Sequence, residues 1–254
     1  MLHVADEFAP VLADLLFTAE MVFQHPDVKP WRQLADRENC LWDIRRPDGS
    51  TLRLHVKRYP PGRHRVAKQE ADSYRDLRQA AVPTAKLAAW GTLADGRSFV
   101  MIEDLAGFAA ADKLIAAGAP FEKLLIPTAD LAAALHNAGF HHRDLYLCHF
   151  FAKVDGGGVD VRLIDIARVR RLPALLTRRW ITKDLAQFWY STLALPITDP
   201  QRDQWLARYA RQTRAADVER LRRAVERKSR FIATHDAKLR ARQPHRNISI
   251  PTTE

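Results

Sequence analysis

The chain has 254 residues, room for one large core or two small ones, and 47% hydrophobic with 28% charged residues excludes wholesale disorder. A formal net charge of +10 points to an anionic partner: nucleic acid, a phosphorylated substrate or an acidic lipid surface. Cys40 and Cys148 fit no zinc-binding spacing, which excludes a disulfide framework and suits a reducing compartment.

Met1–Pro10 carries two acids and no basic stretch, so no export signal is expected there. A helix is predicted over Asp6–Phe17. Cys40–Arg45 and Thr51–Arg58 read as two strands joined by a Pro-Asp-Gly turn, and Leu52, Leu54 and Val56 alternate with Arg53, His55 and Lys57. Ala67–Ala81 reads as a helix stopped before Val82-Pro83. Leu87–Trp90 and Ser98–Glu103 form a further hairpin around Ala94-Asp95-Gly96.

After Asp104 the pattern becomes helical. Thr128 is expected to cap a helix running to about Asn137, with Gly139 just past its end. His141–His149 reads as a loop, and two short strands flank Gly156-Gly157-Gly158, the second over Val161–Asp165. The longest uncharged run, Leu185–Thr198, is 14 residues with Pro196 inside, too short to span a bilayer. Asp217–Lys228 reads as an amphipathic helix with an arginine-rich face. The expected class is α+β: residues 1–104 hold a small antiparallel sheet with one inserted helix, residues 105–254 a larger helical lobe.

Fourteen Lys/Arg face five Asp/Glu between Gln201 and Arg246. Arg220, Arg222, Arg223, Arg227 and Arg230 therefore form either a solvated helix face or an anion-docking surface. No aromatic residue interleaves Ala210–Arg230, which argues against single-stranded nucleic acid. No nucleic-acid partner is expected.

The strongest chemical signal is His142-Arg143-Asp144-Leu145, which resembles the catalytic loop of the protein-kinase superfamily and implies its two-lobed fold. Phosphoryl transfer needs a carboxylate that orients the acceptor hydroxyl and takes its proton; Asp144 fills that role, the bland alternative being a buried structural acid. Divalent metal on the triphosphate needs oxygen ligands, and Asp165 after the second strand is the candidate for Mg²⁺. Lys57 stands where a lysine bridges the ATP phosphates, and Glu70 where a glutamate pairs with it; a surface lysine and a surface acid are the alternatives. Val100–Leu105, with Glu103 and Leu105, resembles the hinge whose backbone reads adenine. Lys183-Asp184-Leu185 precedes a helix, and Asp184 resembles the buried aspartate that anchors the catalytic loop.

Three departures bear on substrate. Ala35–Asn39 replaces a glycine-rich phosphate loop, His149 replaces the metal-binding asparagine, and Ile166-Ala167-Arg168 follows Asp165 with no peptide-docking segment beyond. Mg²⁺ prefers oxygen to imidazole, so His149 is either a metal ligand or a neighbour facing the phosphates.

His142 through Phe150, including Tyr146, Cys148 and His149, resembles the bacterial lipopolysaccharide core kinases, as do Glu103-Asp104-Leu105, Ile164-Asp165 and Arg179-Trp180 with Lys183-Asp184-Leu185. The resemblance covers roughly residues 30 to 210. It implies transfer of the ATP γ-phosphate to a hydroxyl of heptose or 3-deoxy-octulosonic acid on the lipopolysaccharide core. It further implies work at the cytoplasmic face of the inner membrane, with this anionic glycolipid as partner. Two other readings are a small-molecule kinase of the aminoglycoside type and a nucleotide-binding pseudokinase in envelope-stress signalling. Against the first stand the arginine in the loop motif and the basic balance; against the second stands the survival of Lys57, Asp144 and Asp165.

Overall fold

The computed structural model describes residues 1–215 and 217–242, which form two compact units divided after Ala106. Arg246, at the end of the basic stretch, lies outside the described residues.

The first unit opens with strand β1 (Leu2–Val4) and two short helices, α1 (Ala9–Asp14) and α2 (Met21–Gln24). Strands β2 (Val28–Gln33), β3 (Glu38–Arg45) and β4 (Thr51–Tyr59) follow, then helix α3 (His64–Gln79) and strands β5 (Leu87–Thr92) and β6 (Ser98–Glu103). All six strands form one antiparallel sheet in the order β1-β5-β6-β4-β3-β2. Alternation along β4 sets its two faces. Leu54 and Val56 join Trp42, Phe99 and Met101 in a core closed by Leu12 and Val22 of the two short helices. Lys57 and Tyr59 meet Glu70 of α3 instead. The Pro-Asp-Gly turn is present, with Gly49 at φ 81°, a conformation that a side chain would strain.

The second unit begins with β7 (Ala109–Ala110) and α4 (Ala111–Ala116), followed by α5 (Phe121–Asn137). Thr128 is not the cap of α5: the helix starts seven residues earlier, with Pro120 at its N-cap and Pro127 inside. Phe121, Leu124 and Leu125 are buried in the added turns, and that burial outweighs the single N–H that the inner proline removes. The Thr128 hydroxyl donates to Leu124 O at 2.7 Å and accepts from Trp205 Nε1 at 2.9 Å. Gly139 ends the helix at φ 81°, as expected of a C-terminal glycine.

Then come β8 (Phe140–His141), β9 (Phe150–Asp155), β10 (Gly158–Leu163) and β11 (Arg170–Arg171). The strand expected to reach Asp165 stops at Leu163, because Asp165 itself turns left-handed at φ 53°. Helices α6 (Thr177–Thr192), α7 (Asp199–Gln212) and α8 (Val218–Arg242) complete the unit. Lys183-Asp184-Leu185 lies inside α6, not ahead of it, and the basic helix runs to Arg242, well past Lys228. Phe188 of α6 stacks on Trp205 of α7 with ring centroids 3.9 Å apart, joining the two helices over a buried aromatic core.

Candidate active site

In the first unit, Lys57 Nζ donates to Glu70 Oε1 at 2.6 Å, and the Tyr59 hydroxyl donates to Glu70 Oε2 at 2.6 Å. The Glu70 side chain is fully buried and that of Lys57 is 16% exposed, so the ammonium compensates the buried carboxylate. Burial and the adjacent Glu70 carboxylate hold the Tyr59 phenol above its ordinary pKa, so it stays a donor. Glu103, at the end of β6, accepts from the Lys86 N–H at 2.9 Å; Leu105 follows it beyond the strand. Of the segment Ala35–Asn39, Ala35–Arg37 lie in the β2–β3 turn, closed by Leu34 N–H to Arg37 O at 2.9 Å, and Glu38 and Asn39 already belong to β3.

In the second unit the loop after β8 is suspended by its backbone from α6. Asp184, fully buried, accepts from His142 N–H at 2.6 Å and Arg143 N–H at 2.9 Å. Gln187 accepts from Leu145 N–H at 3.3 Å, and Ser191 from Leu147 N–H at 2.9 Å. Positions 184, 187 and 191 lie on one helical face, so one rigid element supplies these three anchors. Lys183 Nζ donates to the Arg143 carbonyl, across a residue held at φ 73°. Burial raises the Asp184 carboxyl, yet bonds from His136 and the His142 backbone outweigh it and leave its pKa below the ordinary value.

Asp144 projects from this loop. Arg168 Nη1 bridges both its carboxylate oxygens, at 2.9 and 2.7 Å. His149 Nδ1 lies 2.6 Å from the Asp144 carbonyl oxygen; a carbonyl only accepts, so this nitrogen carries the proton. Its Nε2 lies 3.9 Å from Asp165 Oδ2. One carboxylate oxygen beside a ring nitrogen is compatible with Mg²⁺, which takes one or two protein ligands and fills the rest of its shell with water and phosphate. Cys148 is a free thiol, and burial pushes its pKa up to about 12, which keeps it protonated.

His142 is buried and donates from Nε2 to Ile164 O at 3.1 Å, while its Nδ1 has no partner. Burial lowers its pKa from 6.5 to about 4. The folded state thus holds the neutral ring, and its stability is complete above pH 6.5 and falls as the pH drops from 6.5 toward 4. The unfolding free energy from urea titrations should decline across that window by on the order of 3 kcal/mol. His142→Asn should flatten that part of the profile; an unchanged slope would assign the acid sensitivity to other groups.

Lys57 and Glu70 are joined, and Asp144, His149 and Asp165 are clustered, as the sequence grouped them. Sequence reading missed Gln187, Ser191 and Arg168 as contacts of the loop. The first two carry a usable signal, since polar side chains at 184, 187 and 191 interrupt an otherwise apolar buried face of α6. Arg168 carries none, because its contact depends on the turn that Asp165 starts.

A sequence profile of the lipopolysaccharide kinase (Kdo/WaaP) family matches residues 54–224, well over half the chain. The chain belongs to this family. The lipopolysaccharide core heptose(I) kinase WaaP of Pseudomonas aeruginosa is 32% identical over 161 residues, covering 58% of this chain and 60% of that one. A WaaP of the same description from Escherichia coli is 29% identical over 174 residues, covering 62% and 64%. The chain thus spans under two thirds of the length of these relatives. Among solved structures, an aminoglycoside-3'-phosphotransferase of type VIII superposes with a TM-score of 0.54 over 87% of this chain and 99% of that one. At 16% identity that likeness is one of fold, and the fold is protein-kinase-like.

Proposed function

We propose that the protein transfers the γ-phosphate of ATP to a hydroxyl of heptose or 3-deoxy-octulosonic acid in the lipopolysaccharide inner core. The observation that carries this reading is the family match over residues 54–224, a span that contains Lys57, Glu70, Asp144, Asp165 and Asp184. Asp144 accepts the hydroxyl proton as the acceptor oxygen bonds to phosphorus and the bond to the ADP oxygen breaks. Lys57, held by Glu70, neutralises the triphosphate, and the backbone at Glu103 and Leu105 reads adenine. Mg²⁺ would neutralise charge on the phosphates, and Asp165, with His149 beside it, would hold it. Core glycolipid from a strain lacking this chain should lose one phosphate by mass spectrometry, and an unaltered core would reject the substrate assignment.

Asp165→Ala is expected to abolish the gain in ATP affinity that Mg²⁺ gives. Titration of nucleotide with and without Mg²⁺ measures this, and a gain equal to that of the wild type would remove Asp165 from the metal site.

The same reading brings the protein to an anionic membrane surface as a peripheral protein. Among the described residues no helix is long and apolar enough to cross a membrane. The arginine run on α8 is not a uniform basic face, because Arg222 is paired with both Glu219 and Glu226. Arg227 and Lys228 instead line a groove with Arg179 of α6, around Leu175, Leu176 and Phe231. Leu175 is 98% and Phe231 62% exposed, an apolar patch rimmed by cations that matches a lipid headgroup layer. Each surface cation contributes about 1 kcal/mol on acidic membranes. Changing Arg179, Arg227 and Lys228 to glutamine should weaken binding to acidic vesicles by about two orders of magnitude. Co-sedimentation across a salt series tests this, and binding indifferent to both salt and substitution would leave the patch without a lipid role.

A further inference from the structure

Around Asp144 the second unit gathers more positive charge than its own carboxylates neutralise. Arg168 grips both oxygens of Asp144. Arg170 Nη1 donates to two carbonyls, Val169 O at 2.6 Å and Ala167 O at 3.2 Å, and so spends its bonds on uncharged partners. Lys183 likewise donates to a carbonyl, that of Arg143. The Arg143 guanidinium lies 5.4 Å from the Trp180 ring centroid, and its Nε is buried without a hydrogen-bond partner. Arg143, Arg170 and Lys183 are all partly buried. Burial lowers the Arg170 pKa, and Arg143 and Arg168 lower it further. Lys183 is lowered first by burial, a shift opposed by Asp184 and Asp144 and reinforced by Arg168 and Arg143. Of the other acids here, Asp165 lies by His149, and Asp184 has both oxygens occupied by the His142 and Arg143 N–H groups and by His136.

Four neighbouring cations outnumber the three carboxylates of Asp144, Asp165 and Asp184, and their mutual repulsion carries a cost in stability. An oxyanion relieves that cost, and arginine forks match the geometry of carboxylate and phosphate. We infer that Arg143, Arg168, Arg170 and Lys183 form an anion subsite beside Asp144 that receives a carboxylate or phosphate carried by the acceptor sugar. This deepens the proposed function and rests on it for the identity of the acceptor. The arriving oxyanion draws Arg168 off Asp144 and frees the carboxylate to take the hydroxyl proton, so the base is released when an anionic acceptor is seated. A polycationic acceptor such as an aminoglycoside meets repulsion at the same place.

The test has a binding arm and a kinetic arm. In the first, the full chain is titrated with inorganic phosphate and with free 3-deoxy-octulosonic acid or its methyl ester, following the thermal midpoint. The wild type should bind phosphate and the free acid but not the ester, and Arg170→Gln should weaken both by about tenfold to a hundredfold. Equal binding by wild type and variant overturns the subsite, whatever the enzyme's substrate proves to be. In the second arm, core fragments are compared intact, dephosphorylated and carboxyl-reduced, and the group whose removal raises KM identifies the anion recognised. Arg168→Gln should raise the acceptor KM and erase that discrimination while the ATP KM holds, and Arg168→Lys should restore part of it. A rise confined to the ATP KM would overturn the inference by assigning these cations to the nucleotide. If the wild type transfers phosphate to none of the fragments, the proposed function fails, and the binding arm still decides the subsite.

Discussion

Asp144→Asn is expected to lower kcat by roughly 10²–10⁴-fold while ATP binding hardly changes. The substitution keeps the shape of the side chain and removes the charge that the proposed mechanism uses to accept the proton. Its effect on folding should be small. The Asp144–Arg168 pair has side chains 21% and 55% exposed, and ion pairs that open to water contribute about 1 kcal/mol or less. The loop that carries Asp144 is held instead by Asp184, Gln187 and Ser191, none of which the substitution touches. A variant retaining more than about a tenth of wild-type turnover would show that Asp144 is not the base.

Lys57→Met should act on stability and on nucleotide together. It leaves the Glu70 carboxylate fully buried without its cation, and breaking a buried pair from one side costs about 3–5 kcal/mol. Loss of the charge-assisted bond to phosphate should weaken MgATP binding by about tenfold to a hundredfold. The double change Lys57→Met with Glu70→Gln separates the two effects. Glutamine carries no charge to strand and still offers the Tyr59 hydroxyl an acceptor, so the double variant should recover most of the lost stability. ATP affinity should stay low in both. A double variant that binds MgATP as tightly as the wild type would place Lys57 outside the triphosphate site.

The parts of the fold written in local patterns were legible. Alternation around Lys57, the Pro-Asp-Gly turn and the spacing from His142 to Asp165 each follow from a few consecutive residues. Boundaries that depend on tertiary burial were not. The start of α5 was hidden by Pro127, whose local preference is overridden by the core contacts of Phe121 and Leu124. The end of β10 was hidden by the left-handed turn at Asp165, which no strand propensity encodes. At the candidate site the pairing of Lys57 with Glu70 and the grouping of Asp144, His149 and Asp165 were readable from short local motifs. The contacts that tune them were not, since Arg168 reaches Asp144 across 24 residues and Gln187 reaches Leu145 across 42. The arginine-rich helix was readable as charge, but not its division into Arg222, paired with glutamates, and Arg227 and Lys228, which border the groove.

The most direct measurement supplies the purified protein with ATP labelled at the γ-phosphate and three acceptors: lipopolysaccharide core lacking its phosphates, an aminoglycoside panel and casein. The account predicts label on a heptose or 3-deoxy-octulosonic acid hydroxyl of the core, dependent on Asp144, and none on the other two acceptors. Label on an aminoglycoside or casein with none on the core would contradict it.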